Sequence, residues 1–136
     1  MSQFPTLNQV VYKDIDTLFD IHPVTRKLNI LTNNAAVARS VKNLVLTNKG
    51  ERPYQPFLGG NIRSRLFDLA SNGLQIEADI KQDIEDVIRN YEPRAELIDV
   101  FVDSNIDGNA INVSIKFRAV NQTDPEVVNF FLEKVR

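Results

Sequence analysis

Apolar positions recur with helical spacing through the middle of the chain. Val37, Val41, Leu44 and Val45 fall at i, i+4, i+7 and i+8, which predicts a helix with one buried face. Thr32, Asn33 or Asn34 stands where its N-cap belongs. Ile62, Leu66, Leu69 and Ala70 repeat the spacing and predict a second helix, with Asn61 as N-cap and Gly73 as stop. A third helix follows Gly73. Its stripe is Ile76, Ile80, Ile84, Val87, Ile88 and Tyr91, and the opposite face carries Glu77, Asp79, Lys81, Asp83, Glu85, Asp86 and Arg89. Such a stripe reads as core rather than binding surface. Pro93 ends this helix at or before Glu92, because the residue before a proline avoids helical dihedrals.

The two ends of the chain follow the two-residue period instead. Residues 1–9 read as a loose arm, and Val10-Val11-Tyr12 opens a β-prone run. Residues 18–21 and 28–31 flank a loop at 22–27 and predict a hairpin, with Pro23 in the loop because it cannot donate to a ladder. Residues 96–103 have apolar side chains on both faces, as in a central or partly covered strand. Residues 105–109 hold Asp107-Gly108, a turn signal. From Ala110 to Ala119 the alternation is clean: Ile111, Val113, Ile115 and Phe117 inward, Asn112, Ser114, Lys116 and Arg118 outward. The last segment is ambiguous. Asp124-Pro125-Glu126 suits a helix start, whereas Val127-Val128-Asn129-Phe130-Phe131-Leu132 is β-branched and aromatic. The pattern as a whole predicts one α/β (α+β) domain over residues 1–136. It comprises an N-terminal hairpin, three helices and a small C-terminal antiparallel sheet.

Between the first two helices, residues 50–60 read Gly50-Glu51-Arg52-Pro53-Tyr54-Gln55-Pro56-Phe57-Leu58-Gly59-Gly60. Two prolines and three glycines in eleven residues specify a shape rather than a tolerant loop. The adjacent Pro53 and Pro56 favour reading Arg52 as an internal clamp on turn carbonyls over reading it as a contact to another protein.

Composition adds exclusions. The chain has 136 residues, no cysteine and a net charge of −2. Disulfides and thiolate metal sites are excluded, and no electrostatic footprint for nucleic acid is present. No apolar run reaches a membrane span, and no signal peptide is expected at the N-terminus. Residues 39–65 hold six bases against Glu51, while residues 68–107 hold eleven acids against three bases. These are either two solvated faces or two docking surfaces of opposite sign.

Candidate chemistry is sparse. His22 stands alone beside a proline and lacks a second ligand with which to hold metal, so no cofactor is expected. Glu51 and Glu92 could form the carboxylate pair of a glycoside hydrolase, but one of them would need a raised pKa. Each has an arginine one or two residues away, and a paired cation favours the ionised form. No nucleophile signature or phosphate loop is present. The expectation is a protein that is not an enzyme.

The stretch Ala36-Val37-Ala38-Arg39-Ser40-Val41-Lys42-Asn43-Leu44-Val45-Leu46-Thr47-Asn48-Lys49-Gly50-Glu51-Arg52-Pro53 resembles the centre of the baseplate wedge and sheath-initiator family of contractile-tailed phages. Arg65-Leu66-Phe67 and Tyr91-Glu92-Pro93-Arg94 resemble it too, and glutamate-proline-arginine is that family's hallmark. The opening Tyr12-Lys13-Asp14-Ile15-Asp16, the His22-Pro23-Val24-Thr25 turn and the closing Val135-Arg136 extend the likeness to about residues 12–136. At Phe57-Leu58-Gly59-Gly60 the chain departs from relatives, which often carry an acidic or polar residue before the glycine. A relative sits in the type VI secretion baseplate. The resemblance implies a structural role in the virion, with assembly in the host cytoplasm and several copies around the tail tube. It implies that Glu92, Pro93 and Arg94 dock on the other wedge proteins, with Gly50, Glu51, Arg52 and Pro53 as a motif turn. It also implies that residues 120–136 end in a strand, Val127 to Leu132, to which the tail sheath protein adds. The family has been described as lysozyme-like, so a peptidoglycan hydrolase is the alternative.

Overall fold

The structure, a computed structural model, describes residues 12–68, 73–105, 110–120 and 122–133. The arm expected over residues 1–9, Leu69 and Ala70 of the second stripe, the Asp107-Gly108 turn and the last three residues lie outside them. Eight elements follow in order: β1 (Lys13–Ile15), β2 (Ile30–Thr32), α1 (Asn33–Leu46), α2 (Ile62–Asp68), α3 (Gly73–Tyr91), β3 (Ala95–Asn105), β4 (Ala110–Ala119) and β5 (Glu126–Glu133). This is the mixed helix-and-sheet domain that the two periodicities predict.

The C-terminal sheet is antiparallel in the order β3-β4-β5. Helices α1 and α3 lie on one face of it, α3 against β3 and α1 against β4 and β5. The core forms between these layers from Val37, Val41 and Val45 of α1, Ile76, Ile80, Ile84 and Ile88 of α3, and Val113, Ile115 and Phe117 of β4. Both helical stripes therefore bury as their spacing requires, with one exception. Tyr91, the last member of the α3 stripe, is exposed. Its hydroxyl donates to the Phe57 carbonyl at 3.1 Å, so the ring serves the turn and not the core.

The central strand is β4, and of the two readings of the 96–103 run the partly covered one holds, with α3 on one face. β3 is an edge strand, and its apolar residues on both faces have another cause. Its register slips between Leu97 and Asp99, a β-bulge at Ile98. One extra residue shifts the phase of alternation, so Ala95 and Leu97 before the bulge and Val100 and Val102 after it all face the helices, while Ile98 and Phe101 face outward. The C-terminal segment is a strand. β5 pairs with β4 from Glu126 to Glu133, which turns Val128 and Phe130 into the core and leaves Val127 and Phe131 exposed. The Asp124-Pro125-Glu126 helix signal is overridden, because the extended form pairs the backbone with β4 and delivers Val128 and Phe130 to the face that α1 covers.

The N-terminal hairpin exists, but its ladder is displaced: β1 precedes the first predicted run, whereas β2 overlaps the second at Ile30 and Leu31. β1 and β2 pair through Lys13–Thr32, Asp14–Leu31 and Ile15–Ile30, and the long excursion between them is pinched by a bridge at Ile21–Leu28. Arg39 of α1 holds the hairpin through a salt bridge to the buried Asp16 at 3.2 Å. At its tip, Nδ1 of His22 accepts the amides of Val24 and Thr25, so the single histidine staples its own turn. None of the three candidate side chains caps α1. Thr32 occupies the N-cap without a side-chain bond, and the carbonyl of Tyr12 accepts the Asn33 N–H at 2.7 Å. Gly73, expected as the stop of the second helix, is the first residue of α3, and residues 69–72 before it lie outside the described ones.

Charge segregation in the sequence is partly neutralised in space. Arg65 on the basic side reaches Asp79 at 3.2 Å and Asp83 at 3.0 Å on the acidic face of α3.

Candidate functional site

The 50–60 turn is fixed by backbone bonds that its composition permits. Gly50 donates to the Pro56 carbonyl at 2.7 Å, Gln55 to Arg52 at 3.2 Å, and Leu58 to Gln55 at 3.1 Å. Gly60 returns the chain to α1, donating to the Thr47 carbonyl at 3.0 Å. Gly59 is the one position no other residue fits. It has φ +118, and a Cβ there would lie 2.3 Å from the Thr47 carbonyl oxygen. The carboxylate of Glu51 accepts the Asn48 amide at 2.8 Å. Arg52 does not clamp anything. Its guanidinium has no hydrogen-bond or ion-pair partner among the described residues, and its side chain is exposed. Glu51 and Tyr91 hold the turn in its place, and Arg52 is left for solvent or a neighbour.

At the other end of α3, Glu92-Pro93-Arg94-Ala95 is a β-turn closed by the Ala95 amide on the Glu92 carbonyl at 3.2 Å. Proline at its second position pre-sets φ and terminates α3. This folds Arg94 back onto the residue two before it. Arg94 Nε meets Glu92 Oε1 at 2.7 Å and Nη2 meets Oε2 at 3.0 Å, a bidentate pair. The Ser40 hydroxyl of α1 also donates to Glu92 Oε2. The carboxylate is only 4% exposed. Burial pushes its pKa up, but the hydrogen bonds from Arg94 and Ser40 and the Arg94 charge outweigh it, so Glu92 stays below the ordinary range. Bonding to Glu92 likewise raises Arg94. The Tyr12 ring lies 5.6 Å from the Arg94 guanidinium carbon, at cation–π range. Glu92 thus points inward and ties α1 to the end of α3, while Arg94 adds the contact to Tyr12 before the hairpin. Arg94, at 29% exposure, is the member that reaches the surface.

The turn and the Glu92-Pro93-Arg94 element, forty residues apart in sequence, meet in one groove. It has a volume of about 440 Å³ and is walled by Arg52, Gln55 and Leu58 from the turn, Ser40 and Leu44 from α1, and Pro93 and Arg94 from the end of α3. Gly50, Glu51 and Pro53 shape the turn without lining the groove. Val127 to Leu132 are not part of it and lie on the edge strand β5. Sequence reasoning missed Ser40 and Tyr12. Ser40 had a signal, a small hydroxyl beside Val41 within the apolar arc of Val37 and Leu44. Tyr12 had none.

Among the described residues no group of acids and histidines could hold a metal ion, and no helix is long and apolar enough to cross a membrane. As a hydrolytic pair, Glu51 and Glu92 fail on chemistry. Glu92 has both oxygens engaged and a lowered pKa, where a general acid needs a raised one.

Comparison with known proteins agrees with the motif reading. The family described as "Baseplate wedge protein gp25" matches residues 32–124. The baseplate wedge protein gp25 of Enterobacteria phage T4 is 30% identical over 118 residues, covering 84% of each chain. Among solved structures, a chain of the anti-feeding prophage baseplate superposes with a TM-score of 0.61 at 21% identity, over 89% of this chain and 84% of that one. A chain of the type VI secretion baseplate complex gives 0.60 at 14% identity, over 74% and 93%. A candidate tail lysozyme from Geobacter sulfurreducens gives 0.58 at 25% identity, over 74% and 91%. With a family match over most of its length and both motif elements converging on one groove, this chain belongs to the gp25 baseplate wedge protein family.

Proposed function

We propose that this protein is a non-enzymatic building block of a contractile tail baseplate, which docks on other wedge proteins through the Arg52–Arg94 groove and starts the tail sheath at β5. The observation that carries the docking half is the convergence of two separate motif elements on one groove, with Arg52 at its wall lacking a side-chain partner among the described residues. Several copies stand around the tail tube in the virion, after assembly in the host cytoplasm.

The sheath half rests on a difference between the two edges of the sheet. β3 carries a bulge and the acids Glu96, Asp99 and Asp103, the devices that deter strand addition. Both edges show apolar side chains outward, Ile98 and Phe101 on β3 and Val127 (51%) and Phe131 (57%) on β5, but only β5 keeps an unbroken register with β4. An added strand would gain main-chain bonds along β5, and cross-strand contacts to Val127 and Phe131 would set its register. Because Val128 and Phe130 belong to the core, cutting off residues 127–136 would unfold the domain rather than silence one edge. The test is therefore a Val127→Lys, Phe131→Lys double variant, which leaves the core intact. Baseplates and tubes should form and remain unsheathed. Normally sheathed tails from this variant would refute the β5 assignment.

The alternative of a peptidoglycan hydrolase takes support from the tail-lysozyme neighbour. A turbidity assay on purified cell wall decides it, and no clearing is expected.

A further inference from the structure

Beside the groove is a second hollow of about 470 Å³ on the turn itself, lined by Tyr54, Gln55, Pro56, Phe57, Leu58 and Tyr91. Gln55, Leu58 and Tyr91 line both hollows. Tyr54 is 98% exposed and Phe57 78% exposed. The fold does not require either ring, since the bonds that close the turn run through backbone atoms and the Glu51 carboxylate. Two large rings are nevertheless held in water on a braced turn, and the hydroxyl of Tyr91 braces Phe57 directly through its carbonyl. Rigid aromatic anchors beside an arginine are the residue types that carry most binding energy at protein interfaces, because little side-chain entropy is lost on contact.

Charge selects the partner. Arg94 is already matched by Glu92, whereas Arg52 has no counter-charge among the described residues. An incoming group must bring a carboxylate to Arg52 and apolar surface to the ridge. A nucleic-acid strand would also bring anions, but its regularly spaced phosphates would meet Asp14 in the groove and Glu51 on the turn. Among the described residues that line the two hollows, Arg52 is the one cation without an ion pair, which falls short of the charge density that phosphate backbones select.

We infer that Arg52, Tyr54 and Phe57 read a segment of another baseplate protein in which an aspartate or glutamate stands beside at least two large apolar side chains. This rests on the groove being a docking site and specifies the chemistry of its occupant.

The experiment places a photo-crosslinking phenylalanine analogue at Phe57 in assembled particles and identifies the linked segment by mass spectrometry. The expected product is a peptide of another baseplate protein with an acidic residue within about one helical turn of the linked apolar residue. Arg52→Glu should then lower incorporation at least about tenfold, and replacing that acid by lysine in the partner should restore it. The melting temperature of the purified Arg52→Glu chain should stay at the wild-type value. A cross-link to a second copy of this chain, to nucleic acid or to lipid overturns the inference. So does a particle that contains the chain but yields no cross-link, or a charge swap that restores nothing. Absence of the wild-type chain from purified baseplates would instead overturn the docking reading itself.

Discussion

Removing Arg94 separates the internal from the external work of the glutamate-proline-arginine turn. In Arg94→Ala the Glu92 carboxylate, 4% exposed, loses both of its guanidinium bonds and keeps the Ser40 hydroxyl. Removing one partner of a buried pair costs about 3–5 kcal/mol, and here Ser40 and the partial exposure of Arg94 reduce this to about 2–4 kcal/mol. For a domain of this size, unfolding entropy converts 1 kcal/mol to about 3.5 °C. The variant should therefore melt about 7–14 °C lower at neutral pH, yet remain folded at room temperature. The pH dependence gives a second readout. In the wild type Glu92 has a lowered pKa, so its contribution is present above the unfolded carboxyl value of about 4.3 and is lost as pH falls through the folded value. In the variant the largest remaining influence is burial, which raises the carboxyl. A raised acid is most harmful when forced to ionise, so the variant's deficit should be greatest at pH 7 and shrink on acidification towards pH 4. Differential scanning calorimetry from about pH 4 to 8 measures both. A neutral-pH melting temperature equal to wild type, or a deficit that does not change with pH, would show that Arg94 is not the counter-ion that keeps Glu92 buried. A Glu92→Gln, Arg94→Ala double variant should recover part of the loss, because it removes the uncompensated charge.

Gly59→Ala should cost at least about 2 kcal/mol, since the added Cβ meets the Thr47 carbonyl oxygen at a φ that L-residues avoid; a thermal melt checks it. Arg52→Ala, by contrast, should leave stability within about 0.5 kcal/mol of wild type, because no described residue bonds to its side chain. Chemical denaturation is the measurement, and a substantial loss would restore the clamp reading. Ser40→Ala leaves Glu92 its arginine and should cost about 1 kcal/mol, less than Arg94→Ala in the same denaturation series.

Local rules in the chain itself determine a good deal of this protein. Helical spacing of valines and isoleucines identifies the buried faces of α1 and α3, because an amphipathic stripe has only one way to leave water. Clean alternation does the same for β4. Pro93 marks the end of α3, and the glycines and prolines of residues 50–60 mark a shaped turn, since both act through the dihedrals of single residues. The motif elements were legible too, as short fixed strings.

Only the tertiary structure decided what those strings do. That Glu92 turns inward depends on Ser40, fifty-two positions away on another helix. That Arg52 is free depends on Glu51 and Tyr91 bracing the turn in its stead. The central place of β4, the bulge that re-phases β3 and the strand form of β5 follow from which faces the two helices cover. In each case the deciding energy comes from contacts between residues remote in sequence. Local pattern records the conformations a segment can adopt, and burial against distant partners selects among them.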